Sequence, residues 1–330
     1  MQRHHFAFSV LLLAFGICVL PGCKPTKDET ELATAFPAKN LQIICPWGAG
    51  GGTDRISRFF ANSLKDELGY NCIVVNRTGG SGAVGHRAGA DADSDGHTIA
   101  MITAELSTMH QLGISDITFQ DYQPLLQING DPAAILVPSD SKYNSLESFL
   151  AAVKSNPGTL KMSGTATGGT WDLARVGLFQ KSGLSKDDVI WVPTKGSAES
   201  IQLLLGGHLD AVCCSLPEAA LQLNAGQLAG IAVMAETRDE SFPDIPSAKE
   251  QGVDWVSIGW RGFATQKETP QHVVEKLQAA MSKIANGPEY KSFMNEQGFR
   301  IDIKVGEEFT TFLSDQDVQW KEVLKHYVAE

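Results

Sequence analysis

The 330-residue sequence has no uninterrupted apolar run of the ~20 residues needed to cross a bilayer, no Lys- or Arg-rich stretch, and no metal-binding spacing of Cys and His. With a formal net charge of -11 and no basic patch, an electrostatic footprint for DNA or RNA is missing, so nucleic acid is excluded as a partner. There is no HExxH and no CxxC, and His86, His97, His110, His208, His272 and His326 are scattered, so zinc is not expected. Gly79-Gly80-Ser81-Gly82 is followed by Ala83, which breaks a GxSxG elbow. Asp91-Ala92-Asp93-Ser94-Asp95-Gly96 starts like a calcium loop, but the bidentate acid would fall at Ile102 in a strand-like run. No catalytic residue, metal or cofactor is expected.

The first residues do carry a signal. "MQRHH" is basic, "FAFSVLLLAFGICVL" is apolar and "LPGC" closes the run. That is too short to span and has the layout of a signal peptide, residues 1–22. Leu20-Pro21-Gly22-Cys23 resembles a bacterial lipobox, with cleavage before Cys23 and a lipid on its sulfur; a plain secretory signal is the alternative. Residues 23–40 are then the lipidated cysteine and a polar tether.

Four cysteines follow, Cys45, Cys72, Cys213 and Cys214. Cys45 ends one predicted strand and Cys72 starts the next. In parallel strands this separates the sulfurs by ~10 Å, beyond disulfide reach. Cys213 and Cys214 are neighbours in a strand-like run. All four read as free thiols packed as small hydrophobes.

From Leu41 onward, short β-branched runs alternate with helical periods, which predicts α/β architecture with parallel strands. "LQIIC" precedes a helix placing Ile56, Phe59, Phe60, Leu64 and Leu68 on one face and ending at Gly69. "CIVVN" and "TIAMIT" complete a first unit. A second series runs from "AAILVPS" through helices near Leu146–Lys154, Thr170–Lys181 and Ala198–Leu205, with strands at "LKMSG", "VIWVP", "DAVCCS" and "LAGIAVM". "VSIGWRGFAT" reads as an extended crossing, and only helices follow. A purely helical tail needs an existing sheet to pack on, so it is expected to return to the first domain. Two domains joined by two crossings result, 41–137 with 258–330 and 138–257, with a ligand cleft at the hinge.

The loop Gly48-Ala49-Gly50-Gly51-Gly52-Thr53-Asp54 lies between a strand and a helix. It lacks the P-loop lysine, and "VVNR" lacks the acid a dinucleotide ribose needs. What remains is an anion site of free N–H groups at a helix start, or a tight turn with Thr53 or Asp54 as a cap. Repetition favours the first: "SGTATGGTW" (163–171), "PTKGSAES" (193–200) and "SLPEA" (215–219) again put donor-rich residues at helix starts.

These segments, with "VVNRTGGSGAVG", "ADSDGHTIAM", "VPTKGSAESIQLLLGGHLDA", "LNAGQLAGIAV", "FPDIPSAKEQG" and "GWRGFATQKETP", resemble in order the extracytoplasmic solute receptors of tripartite tricarboxylate transporters. The resemblance runs from about Leu41 to the C-terminus. It implies a two-domain periplasmic-binding-protein-like (type II) Venus flytrap with two hinge crossings. It also implies capture of a small organic carboxylate without chemistry, and delivery by a monomeric receptor to a permease with one large and one small membrane subunit. A sensing receptor of the same fold, or a lipid-anchored hydrolase, are the alternatives. By position, Gly51, Gly52, Thr53 and Asp54 are implied at one carboxylate, with Thr103 and Ala104 beside them. Thr165, Thr167, Gly168, Gly169, Thr170 and Ser215 are implied at the far end. Lys195 lies in the family's lysine-glycine turn, serving ligand or hinge. Glu105 departs from the small polar residues usual there; it would repel a polyanion or accept an ammonium or hydroxyl. Trp47 and Trp171 either stack on a flat ligand or pack the domain edges.

Overall fold

Strand β1 (Leu41–Cys45) leads through the glycine loop into α1 (Gly52–Leu68). The helix forms because Ile56, Phe60 and Leu64 recur at helical spacing and are buried on one face, each worth ~1.5–3 kcal/mol. It stops at Gly69, which is left-handed at φ 75° and returns its N–H to the Lys65 carbonyl. The structure, a computed structural model, describes residues 36–328; the expected signal peptide, Cys23 and most of the tether lie outside them.

Strands β2 (Cys72–Asn76) and β3 (Thr98–Thr103) flank β1 in parallel, with α2 (Ala83–Ala90) between them in sequence. Leu41 lies opposite Cys72 and Cys45 opposite Asn76, so the two cysteines are staggered by the length of the strand pair. Cys45, Cys72, Cys213 and Cys214 are all free thiols, and burial pushes the Cys45 thiol up to about 11.

The 17-residue strand β4 (Tyr122–Pro138) is longer than its sequence suggests. Its first part, Tyr122 to Pro132, pairs antiparallel with β9 (Ile258–Gln266). From Ala133 it pairs instead with β7 (Ala211–Ser215) and β8 (Leu228–Val233). Pro132 sits at this change of partner, where a residue without an N–H donor is tolerated in a central strand. A second connection is laced to the same point: Ala133 donates to the Ser257 carbonyl at 2.9 Å, Ser257 to Met234 at 3.0 Å, and Met234 to Ala133 at 2.7 Å.

Beyond β4 the chain builds a second half. It contains α3 (Leu146–Ser155), β5 (Lys161–Ser163), α4 (Thr170–Lys181), β6 (Ile190–Trp191), α5 (Ser197–Leu205) and the short α6 (Ala220–Asn224). The expected helix from Pro217 is a 3-10 turn, Leu216–Ala219, continued by α6. Among the described residues the sheet order is β2-β1-β3-β9-β4-β7-β5-β6, with β8 and β10 (Lys304–Val305) also paired to β4. The apolar core of this half includes Leu136, Phe149, Leu178, Phe179 and Val212.

The closing helices α7 (Gln271–Asn286) and α8 (Pro288–Gln297) pack on the first half. Tyr290 stands 5.4 Å from Phe60 between ring centroids, and its hydroxyl donates to the Ile128 carbonyl. The last helix, α9 (Glu307–Val328), buries Phe309 edge-on to Trp260. Farther along, its Trp320 and Leu324 pack on Leu173 of α4.

Candidate functional site

Helices α1 and α4 start with the same local geometry, one in each half of the molecule. Gly50 (φ 83°) and Gly168 (φ 75°) are left-handed, a conformation that an L side chain disfavours. Each is followed by an extended glycine N-cap, Gly51 or Gly169. Each donates its N–H at 2.9 Å to an aspartate four residues on, Asp54 or Asp172. Arginines in the next turn hold those aspartates, Arg58 at 2.9 Å and Arg175 at 2.5 Å. Burial alone would push Asp54 up, but Arg58, the Gly50 N–H and Asn76 outweigh it and hold the carboxyl below its ordinary value. Asp54 therefore braces its loop.

The first residue of each helix then gives its N–H to a carboxylate from the opposite half. Gly52 donates to Glu218 Oε1 at 3.3 Å, and Thr170 donates to Glu105 Oε1 at 2.9 Å. Glu105 follows β3 in the first half; Glu218 follows β7 in the second. The two acids thus cross, each placed against the positive end of the other half's helix. Glu105 Oε2 also accepts from Thr103 Oγ1 at 2.5 Å. Thr103 Oγ1 in turn accepts from the Trp47 indole N–H at 3.3 Å, and the Thr103 N–H donates to His86 Nε2 at 3.2 Å. Since Nε2 accepts, His86 carries its proton on Nδ1, which faces the Gly82 carbonyl at 2.8 Å. Burial lowers the His86 pKa and keeps the ring neutral.

Arg261, on β9, gathers three elements. Its Nε donates to Thr53 Oγ1 at 3.0 Å, one terminal nitrogen to Asp131 at 2.8 Å and the other to Glu218 at 3.2 Å. Asp131 lies on β4 at 0% exposure and Arg261 is 4% exposed, so this is a buried pair. Burial pushes the Asp131 carboxyl up to about 6 against the opposing pull of Arg261. Gly52 fits tightly here: a Cβ would stand 2.9 Å from the Arg261 guanidinium and 3.0 Å from Glu218, so a larger residue would displace those side chains.

These groups surround a cavity of about 30 Å³, room for about two waters. Of the residues singled out from sequence, Trp47, Gly51, Gly52, Thr53, Thr103, Ala104, Glu105, Thr165, Thr170 and Trp171 line it. Asp54, Thr167, Gly168, Gly169, Lys195 and Ser215 do not. The Thr167 carbonyl accepts from Ser81 Oγ at 2.6 Å. Lys195 is exposed, and its carbonyl accepts the Gly48 N–H at 2.9 Å. Ser215 donates to Glu218 through both its hydroxyl and its N–H at 3.3 Å, so it positions that acid. Trp171 lies against β9, where a Cβ on Gly259 would meet its ring at 2.6 Å.

Sequence reasoning missed Glu218, Arg261, Gly259 and Trp260 as lining residues; Gly48, Gly196 and Ser197, which it named only as parts of the glycine loop and of a helix start, line the cavity too. The signals were present. Ser215-x-x-Glu218 is a capping-box spacing, and an arginine inside the apolar "GWRGF" run needs a buried partner. Among the described residues there is no cluster of three or more side chains that could hold a metal ion.

A sheet whose long strand serves two halves, with helix starts from both converging on one cavity, defines a two-domain binding protein of the periplasmic type. The fold is shared with the periplasmic binding protein BugD, 26% identical with a TM-score of 0.82 over 88% of this chain and 98% of that one. The chain belongs to the tripartite tricarboxylate transporter receptor family, whose TctC family model, "Tripartite tricarboxylate transporter family receptor", matches residues 56–328. A TctC solute-binding protein from Polaromonas, solved without ligand, is 33% identical over 88% of this chain and 100% of that one, with a TM-score of 0.64. MatC from Rhodopseudomonas palustris, solved with bound malate, shares the fold at 22% identity and a TM-score of 0.79, over 88% of this chain and 100% of its own.

Proposed function

We propose that this chain is an extracytoplasmic solute receptor, held to a membrane by a lipid on Cys23. It captures a small organic carboxylate in the cavity between its halves and delivers it to a permease with a large and a small membrane subunit. The observation that carries this reading is the convergence of two helix N-termini, at Gly52 and Thr170, from opposite halves of the sheet on one cavity. Backbone donors and helix dipoles favour an anion there even in a protein of net charge -11, because distant charge is screened over ~8–10 Å. Malate in MatC is a ligand of this class.

The cavity is too small for an organic acid as it stands, so capture needs an open state in which 41–137 with 258–330 move apart from 138–257. The hinge is β4 together with the connection laced to it at Ala133, Met234 and Ser257. Closure is favoured by a ligand that contacts both halves at once. The receptor works as a monomer and carries out no reaction. No helix among the described residues is long and apolar enough to cross a membrane; the lipid is the proposed anchor.

The test is a thermal-shift and calorimetric screen of the full chain against mono-, di- and tricarboxylates, amino acids and inorganic phosphate. Ligand at a hundred times its dissociation constant adds ~2.7 kcal/mol of stability, several degrees for a protein of this size. A shift with organic acids and none with phosphate is expected. The reverse pattern would reject the reading.

A further inference from the structure

We propose that the ligand of this receptor is a zwitterion, an amino-bearing carboxylic acid whose ammonium is received by Glu105. The inference rests on the carboxylate reading above and narrows it.

The accounting of donors and acceptors carries the proposal. A carboxylate offers about four acceptor positions. Glu105 uses two, one from the Thr170 N–H and one from the Thr103 hydroxyl, at 2.9 and 2.5 Å. It is 3% exposed and lines the cavity, so its remaining positions are withdrawn from bulk water. Glu218 is placed differently. Gly52, Arg261, and the N–H and hydroxyl of Ser215 occupy four positions, every one at 3.2 to 3.3 Å, the long end of the hydrogen-bond range. Glu105 is firmly held with acceptor capacity to spare, whereas Glu218 is fully engaged and weakly held.

A ligand carboxylate therefore has one natural place, the α1 end, where it takes the Gly52 N–H and the Arg261 guanidinium in exchange for Glu218. The other end of the cavity presents Glu105 in the same lining as Trp47 and Trp171. A second carboxylate there would meet a buried charge of its own sign. An ammonium instead meets an acceptor with free positions. Charge on the cavity lining agrees: two carboxylates, Glu105 and Glu218, stand there against one guanidinium, Arg261. Trp260 also lines the cavity, and its indole N–H is buried with no acceptor in the structure. A site with exchangeable donors at the α1 end and unfilled acceptors on Glu105 matches a ligand carrying both charges.

Calorimetry of the full chain with matched probes tests this, using L-glutamate against glutarate and L-alanine against lactate and propionate. The amino member of each set is expected to bind at least tenfold more tightly. In Glu105→Gln, which keeps an acceptor oxygen, that preference should collapse as glutarate gains and L-glutamate loses affinity. Glutarate binding as tightly as L-glutamate, or a ratio unchanged in Glu105→Gln, overturns the inference and leaves the carboxylate reading standing. Lactate matching L-alanine overturns it in favour of a hydroxyl. Failure of every acid to bind removes the carboxylate reading, and the inference with it. Should Glu105→Gln fail to fold, the wild-type ratios decide alone.

Discussion

Replacing Arg261 with methionine would strip the buried hub of the cation that bonds both Asp131 and Glu218. Asp131, at 0% exposure, would keep only the Asn129 amide and the Arg300 N–H, and Glu218 would lose its charged partner. Breaking a buried pair by removing one member costs about 3–5 kcal/mol. The aliphatic replacement recovers none of this, because the carboxylates stay behind. At roughly 2–4 °C per kcal/mol for a protein of this size, the melting temperature at pH 8 should fall by ~6–20 °C. The pH dependence identifies the cause. With Arg261 present, burial already places Asp131 at about 6, above its ordinary 3.8. Without the guanidinium its folded value must rise further. A carboxyl whose folded pKa is raised leaves stability intact below its unfolded value and subtracts from it as pH climbs towards the folded one. The variant should therefore lose up to about 1.4 kcal/mol per pH unit relative to wild type, beginning near 6 and continuing to its new folded pKa. Urea denaturation of both proteins from pH 5 to 8 measures this. Adding Asp131→Asn to Arg261→Met should restore part of the loss and flatten the slope. A loss under 1 kcal/mol with no pH dependence would refute the claim that Asp131 is charged at Arg261's expense.

Two further outcomes follow from the same geometry. His86 is buried neutral with a lowered pKa, so below its unfolded value of 6.5 the unfolded chain takes up a proton that the folded one refuses. Stability should be full above pH 6.5 and decline as pH falls below it, by up to about 1.4 kcal/mol per unit; His86→Gln should lose that part of the slope in urea titrations, and equal slopes would count against it. Gly50→Ala forces a Cβ into the left-handed region at φ 83° and should cost ~1–2 kcal/mol, read as a lowered urea midpoint; an unchanged midpoint would mean the loop relaxes freely.

Local signals made much of the architecture legible. The stripe of Ile56, Phe60 and Leu64 and the stop at Gly69 fix α1, whereas Thr170–Lys181, buried without a break from Thr170 to Phe179, is marked by the glycine turn at its start. Strand β4 was only half visible, because Pro124 and Pro132 argue against a continuous strand. The fold tolerates them where the pairing register shifts and where the strand changes partners. Ten of the sixteen ligand-site expectations line the cavity, chiefly those at helix starts, where sequence marks both the turn and its donors. Asp54 and Ser215 act one step back, on Gly50 and Glu218, which spacing along the chain does not distinguish from direct contact. Arg261 and Glu218 were missed because each meets its partners only when distant segments fold together: Arg261 lies 130 residues from Asp131, and Glu218 lies 166 from Gly52.

The crossing of Glu105 and Glu218 changes what a dissociation constant for this receptor measures. The anion place on α1 already has an occupant covalently tethered to the protein, present at an effective concentration that no dilution lowers. On the proposed reading, a ligand carboxylate binding there exchanges with Glu218. The affinity observed for any acid is the intrinsic affinity of the helix end reduced by that resident competitor, and a receptor with Glu218 removed would report the larger, undiminished value.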